Sequence, residues 1–273
     1  VVAFVGVFGA LIGSFLNVVV YRVPAGRSIV SPPSACGNCG HRIRWYDNIP
    51  VISWLVLRGK CRDCGSRISP RYPLVELGGA IFFVAVAFVF VPQIFTAWQT
   101  NVVLANVLEL LAYLYFAAIS LALALIDIDT HKLPNSIVLP AYAVGAVLLG
   151  VAGVVGGNYD GLLTAAIGAL GLGLVYLLLF VFVPGGMGFG DVKLAGVIGL
   201  FVGFLGIGPL LAGAFAAFLL GGIFSIVLLV SRRAKGKTKV PFGPWMLGGA
   251  WVGIFAGMQI ASWYLALFSL GGS

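Results

Sequence analysis

Two short segments concentrate the acidic chemistry of this 273-residue chain. One reads ALIDIDTHKLPN and sets Asp127 and Asp129 at the end of an apolar run; the other reads GGMGFGDVKL and sets Asp191 at the start of one. The whole chain holds only eight acidic residues, the others being Asp47, Asp63, Glu76, Glu109 and Asp160. If the two apolar runs are helices of opposite direction, one carboxylate from each reaches the same face of a membrane. Two carboxylates in one site cannot both ionise easily, so one keeps its proton. The ionised member can take a proton from a water that attacks a carbonyl carbon, while the protonated member donates to the carbonyl oxygen. That is the chemistry of an aspartic protease. Solvated loop aspartates are the plain alternative, Asp129 competes with Asp127 for the first position, and a metal held by Asp127, Asp129 and Asp191 is a further reading. Helix dipoles favour the charged form at a helix N-terminus, which suggests Asp191 as base and Asp127, at a C-terminus, as acid. Gly185, Gly186, Gly188 and Gly190 leave the backbone before Asp191 open to close approach by a peptide. Asp160 reads as solvated, and Glu109, inside an apolar run, reads as structural.

A second constellation is made of sulfur. Cys36 and Cys39, then Cys61 and Cys64, form two Cys-x2-Cys pairs in CGNCGH and CRDCGS. Each such turn can present two thiolates to one tetrahedral ion, and the glycine that follows tolerates the backbone of a knuckle. Disulfides and a redox pair are the competing readings. The twenty-one residues between the pairs exceed the usual zinc-ribbon gap by one, and the spacing favours a structural zinc site, Zn²⁺ held by Cys36, Cys39, Cys61 and Cys64. A segment of about fifty residues is too small for a strong core, so metal binding would supply much of its folding free energy. Arg42, Arg44, Lys60 and Arg62 lie beside the cysteines and could offset the thiolate charge, and His41 could be a spare ligand.

The elements that must position these residues follow from composition. Hydrophobic residues make up 61% of the chain and charged residues 9%, with a mean hydropathy of +1.11; ordinary soluble domains are about 25% charged. One water-soluble core could not hide so much apolar surface. Disorder is excluded by the same figures, and a disulfide scaffold by the sparse cysteines. What remains is an all-α polytopic membrane protein. A bilayer-crossing helix needs about 20 apolar residues, and such runs occur at 1–21, 74–97, 103–126, 137–155, 162–183, 193–208, 210–230 and 245–269, about eight transmembrane helices. The run at 193–208 is short and glycine-rich. The run at 1–21 has no basic segment before it and no small-residue cleavage site after it, so it reads as a membrane helix and not a signal peptide. The expected organisation is a first transmembrane helix at 1–21, a cytoplasmic four-cysteine zinc insert resembling a ribbon at 22–73, and a seven-helix membrane domain at 74–273 that carries the aspartic protease site.

All 16 Lys and Arg residues fall on or directly flank odd-numbered connections between these runs. Cations mark cytoplasmic loops, so the insert and the aspartates are expected on the cytoplasmic side and both termini outside. The net charge of +8 is thereby explained by orientation, with anionic lipid headgroups of the bilayer as a second contact for basic loops. No nucleic-acid partner is expected, since neither interleaved aromatics nor a recognisable module accompanies the charge.

At these residues the sequence resembles the bacterial type IV prepilin peptidases, bifunctional leader peptidase and N-methyltransferase enzymes of the GxGD aspartic protease type. GSFLNVVVYRVP at 13–24, the two cysteine pairs, ISPRYPLVELGG at 68–79, IDIDTHKLPN and GMGFGDVKL occur in the family's order. The resemblance puts the catalytic aspartates at Asp127 and Asp191, the latter ending the Gly188-Phe189-Gly190-Asp191 motif. It implies cleavage of a basic leader from type IV prepilin and pseudopilin precursors at the bacterial inner membrane, after a glycine that precedes the substrate's apolar helix. It also implies methylation of the new N-terminus with S-adenosylmethionine as donor, because the cysteine insert is present. Asn17, Arg22, Arg71, Tyr72 and Glu76 border the insert in these motifs and are the methyltransferase candidates. The same residues are also compatible with a presenilin-like intramembrane protease, or with a transporter or scaffold whose zinc ribbon is a docking module.

Overall fold

The computed structural model describes residues 1–183, 187–231 and 241–269. Gly185 and Gly186, and the cations of the run from Arg232 to Lys239, lie outside the described residues. The long helices are α1 (Val2–Arg22), α3 (Arg71–Thr96), α4 (Thr100–Thr130), α5 (Asn135–Gly156), α6 (Tyr159–Phe182), α7 (Phe189–Phe204), α8 (Ile207–Val230) and α9 (Gly243–Ser269), with a short α2 (Ile52–Val56) between α1 and α3. Uninterrupted apolar sequence makes them helices, because only a helix satisfies every backbone group within one segment in lipid. Seven are long and apolar enough to cross a membrane, so the chain is a multi-pass membrane protein. Among the described residues there is no named strand, only the isolated bridges Ala35–Arg42 and Lys60–Arg67.

The exception is α7. Its 16 residues span about 24 Å at about 1.5 Å per residue, short of a hydrocarbon core of about 30 Å. It is also the most enclosed helix, buried at nearly every position from Asp191 to Phe204, and it packs against α5, α6, α8 and α9. Protein encloses it from Asp191 to Phe204, which makes a short helix tolerable there.

Helices pair closely where glycines face each other: α1 with α3, α6 with α7, α8 with α9. A methyl group on Gly9 would lie 2.6 Å from the Gly79 carbonyl, and one on Gly203 would lie 2.6 Å from the Thr164 carbonyl. Backbones at that separation gain dispersion contacts, which drive association where lipid is as apolar as the side chains. The centre is aromatic. Phe90 stacks on Tyr113, Phe116 on Phe201, and Phe82 meets Trp251 edge-on with ring centroids 4.5 Å apart. Its polar atoms are satisfied internally: Tyr113 donates to the Phe201 carbonyl at 2.9 Å, and Trp251 donates to Ser120 at 3.1 Å. This cluster locks α3, α4, α7 and α9 together and fixes where α4 ends and α7 and α9 begin.

Candidate active site and metal centre

The last turn of α4 remains helical past the apolar run. His131 ends it with a left-handed backbone (φ 52°), its N–H bonded to the Asp127 carbonyl. Asp127 is buried and faces the start of α9, where its Oδ2 accepts the Gly243 N–H at 3.0 Å. A methyl group on Gly243 would lie 2.7 Å from that oxygen, so any side chain there would displace the carboxylate from this position. Asp191 is likewise buried, in the first turn of α7, and its Oδ2 accepts the Gly188 N–H at 2.9 Å. Each carboxylate therefore has one oxygen tied to the N-terminal backbone of a helix, a position that favours negative charge. Among the described residues no hydrogen bond reaches either Oδ1.

Leu133, on the connection from α4 to α5, joins the two helix starts. Methyl groups built on Gly190 and on Gly243 would approach its side chain to 3.0 and 3.4 Å. Asp127 and Asp191 lie within electrostatic reach of each other, and Tyr176 of α6 lies within reach of Asp191. Both acids thus stand at one end of the bundle, as opposite chain directions require. The dipole argument that separated their roles does not carry over. Asp127 sits at the C-terminus of α4, but it also caps the N-terminus of α9.

Asp129 is placed differently. Residues two apart on a helix do not share a face. Asp129 turns outward and forms a bidentate ion pair with Arg71 at the start of α3, with contacts of 3.0 and 2.6 Å. Asp160 is exposed in the first turn of α6, and Glu109 is half-buried within α4. Neither lies at the end of the bundle that holds Asp127 and Asp191.

The residues bordering the insert are bound into its junction with the helices. Asn17 donates to the Tyr72 carbonyl at 3.2 Å, and Arg22 donates to the Ser28 carbonyl at 3.0 Å. Arg71 is held by Asp129. Glu76 is buried and accepts the Val51 N–H at 2.7 Å. Val51 has a positive φ of 61°, and the Ile52 N–H closes onto the Pro50 carbonyl at 2.6 Å, a γ-turn that the Glu76 carboxylate secures. Together these contacts strap the insert to α1, α3 and α4. Glu76 therefore faces the insert and not the aspartates.

In the insert, four sulfurs lie within 4.8 Å of one another. The two cysteine turns have the same local structure. The Cys36 N–H bonds the His41 carbonyl and the Gly40 N–H the Cys36 carbonyl; Cys61, Ser66 and Gly65 repeat the pattern, with both glycines near φ +70°. Cys36 and Cys64 sulfurs are 3.8 Å apart, matching the edge of a tetrahedron with metal–sulfur bonds of about 2.3 Å. No disulfide joins them. The cluster can hold a metal ion. The Ser66 hydroxyl, beside Cys36 and Cys64, pulls both thiols below their ordinary value, Cys36 to about 6. His41 is exposed and stands outside the cluster. The neighbouring arginines serve carboxylates: Arg44 pairs with Asp63 at 3.0 Å, and Arg62 grips Asp47 at 2.5 Å and holds its carboxyl below the usual range. These two pairs cross-brace the knuckles.

Gly243, Leu133 and the Arg71–Asp129 pair have no counterpart in the sequence reading. Gly243 stands 116 positions from Asp127, and its one local signal is Phe-Gly-Pro-Trp, a glycine followed by a proline where a helix begins.

Residues 7–90 match the Bacterial Peptidase A24 N-terminal domain, and residues 114–226 match the Type IV leader peptidase family. Among curated proteins, the prepilin leader peptidase/N-methyltransferase of Stutzerimonas stutzeri is 36% identical over 288 residues, covering 95% of this chain and 92% of its own. Proteins of the same name from Pseudomonas putida and Pseudomonas aeruginosa are 38% and 37% identical, covering 93% and 94% of this chain and 90% and 91% of their own. No solved structure matches the chain.

Proposed function

The chain belongs to the type IV leader peptidase family, whose curated members here are bacterial prepilin leader peptidase/N-methyltransferases, and from that footing we propose that it cleaves the basic leader from type IV prepilins and pseudopilins and then methylates the exposed N-terminus. The observation that carries the peptidase half is the pairing of Asp127 and Asp191, each with one oxygen tied to a helix start and the other, among the described residues, without a hydrogen-bond partner. In this reading the pair shares one proton. Asp191 or Asp127 in its ionised form takes a proton from water, and the water oxygen attacks the carbonyl carbon of the leader's last glycine. The protonated partner donates to the carbonyl oxygen; as the C–N bond breaks, the carboxyl that took the water's proton passes it to the departing amine, and the partner recovers a proton from a hydroxyl of the tetrahedral intermediate. Gly188 and Gly190 have no side chain to obstruct an extended substrate backbone at the mouth of the site. Because substrate helix and enzyme share the bilayer, the scissile bond and the carboxylates arrive at similar depth.

The cation distribution supports a site and insert on the cytoplasmic side of the inner membrane, with the far ends of α1 and α9 outside. Zn²⁺ is the metal that the four-sulfur cage of Cys36, Cys39, Cys61 and Cys64 fits best. Bound S-adenosylmethionine supplies the methyl group. A cavity of about 610 Å³ on the insert has His41, Arg42, Trp45 and Tyr46 in its wall, which offers aromatic faces for an adenine and a guanidinium for a carboxylate, within the size range of small-molecule sites. Asn17, Arg22, Arg71, Tyr72 and Glu76 contribute to methylation by seating the insert.

The test is incubation of the protein in lipid discs with a synthetic prepilin, with and without S-adenosylmethionine, read by mass. The leader is expected to leave in both reactions, and the methyl group to appear only with the donor. A substrate left intact, or cut inside its apolar helix, would reject the reading.

A further inference from the structure

The short helix α2 carries a face that none of the described residues covers. Ile52, Leu55 and Val56 are 59%, 61% and 70% exposed, whereas Ser53 and Trp54 turn inward, Ser53 donating to the Tyr46 carbonyl and Trp54 to the Ile68 carbonyl. A water-facing loop would be arranged the other way round.

Two contacts place this face at membrane depth. Val51, immediately before α2, is bonded to Glu76. Glu76 is five residues inside α3, about 7.5 Å from its start, so α2 lies beside the first two turns of α3 and not above them. On the neighbouring side, a cleft of about 280 Å³ separates Leu11, Phe15 and Val18 of α1 from Ile29, Val30 and Pro32 of the insert. Leu11 is about 16 Å down α1 from Arg22. The chain leaving α1 therefore folds back along the outside of that helix. In a bilayer, the surface at this level meets headgroups and the first acyl carbons. Arg58 and Lys60 follow α2 directly, and among the described residues neither has a carboxylate partner.

We propose that α2 is an interfacial anchor: Ile52, Leu55 and Val56 enter the headgroup–acyl boundary of an anionic leaflet, and Arg58 and Lys60 engage its phosphates. An apolar segment of a substrate could cover the same side chains. A substrate with a cationic leader is repelled by Arg58 and Lys60, whereas an anionic lipid surface is attracted. The inference is independent of the peptidase reading.

The test places p-benzoylphenylalanine at position 55 of the full chain in discs of phosphatidylcholine, with or without phosphatidylglycerol. Position 111, exposed on α4 within a membrane span, is the control. Irradiation is expected to give lipid adducts at both positions. At position 55 the yield should rise about thirty-fold with the anionic lipid, the effect of about 1 kcal/mol for each of two surface cations. Arg58→Gln together with Lys60→Gln should remove that rise. A lipid adduct at 111 but none at 55 would overturn the proposal. So would replacement of the lipid adduct at 55 by a prepilin adduct when substrate is added, and an equal yield in both discs would overturn the role of the anionic headgroups.

Discussion

Asp127 accepts a hydrogen bond from the backbone of Gly243 at 3.0 Å, across 116 positions of sequence. The contact makes the start of α9 a wall of the site and fixes the orientation of the carboxyl group. Gly243→Ala would force a methyl to 2.7 Å from Oδ2. Displacements of about 1 Å at a catalytic group reduce rates by about 10²-fold. Leader cleavage by Gly243→Ala is expected to fall by about that factor while the protein still inserts and its circular dichroism is unchanged; cleavage at the wild-type rate would show that the wall does not matter.

Asp129 and Asp127 are two residues apart and should behave as unlike groups. Asp129 is partly exposed and spent on Arg71. Exposed ion pairs contribute about 0.2–1 kcal/mol, so Asp129→Asn should leave cleavage within a small factor of wild type. Amide exchange in the last turn of α4 should quicken, because the turn loses its fastening to α3. Loss of cleavage equal to that of Asp127→Asn would mean that the two roles are reversed.

The metal centre predicts a separable loss. Cys61→Ser removes one of four sulfurs from the cage. Bound zinc, measured by elemental mass spectrometry, is expected to drop from about one per chain toward zero, and the insert should become sensitive to proteolysis. Leader cleavage should persist at a measurable level, because Asp127 and Asp191 are fixed by α4, α7 and α9 and not by the insert. Unchanged zinc would refute the assignment.

In metal-stripped protein, Cys36 should be the thiol that alkylates first. The Ser66 hydroxyl stabilises its thiolate and brings its value to about 6. A hydrogen bond to the charged form lowers the value, so Ser66→Ala should raise it. Alkylation of Cys36 by iodoacetamide is expected to rise with pH about a midpoint near 6, and the midpoint should move upward in Ser66→Ala. A midpoint at the ordinary thiol value of about 8.5 would contradict the geometry.

Much of the architecture is written in local sequence. Runs of apolar residues without charge mark the helices, and the glycine after each cysteine pair marks the knuckles, because both follow from the physics of a few neighbouring residues. Even the shortness of α7 is visible in the run at 193–208. Asp127, Asp191 and the cysteines could be singled out because rare residue types recur at chemically meaningful spacings. What is not visible depends on the tertiary fold. Gly243 is one of 39 glycines, and nothing near it indicates a carboxylate 116 positions away. Arg71 looks like a member of a motif next to the insert, yet its partner lies on α4. Arg44 and Arg62 look like counter-ions for thiolates, yet Asp63 and Asp47 claim them. The outward face of α2 could not be read either, since Ile52, Leu55 and Val56 would suit a buried core equally well by composition.

The account depends on two carboxylates acting as one unit. Asp127→Asn and Asp191→Asn, each purified in lipid discs and given a synthetic prepilin, measure this most directly by mass. The expected result is an intact leader with either variant, with both proteins still folded and still binding zinc. Leader removal at the wild-type rate by either one would contradict the account.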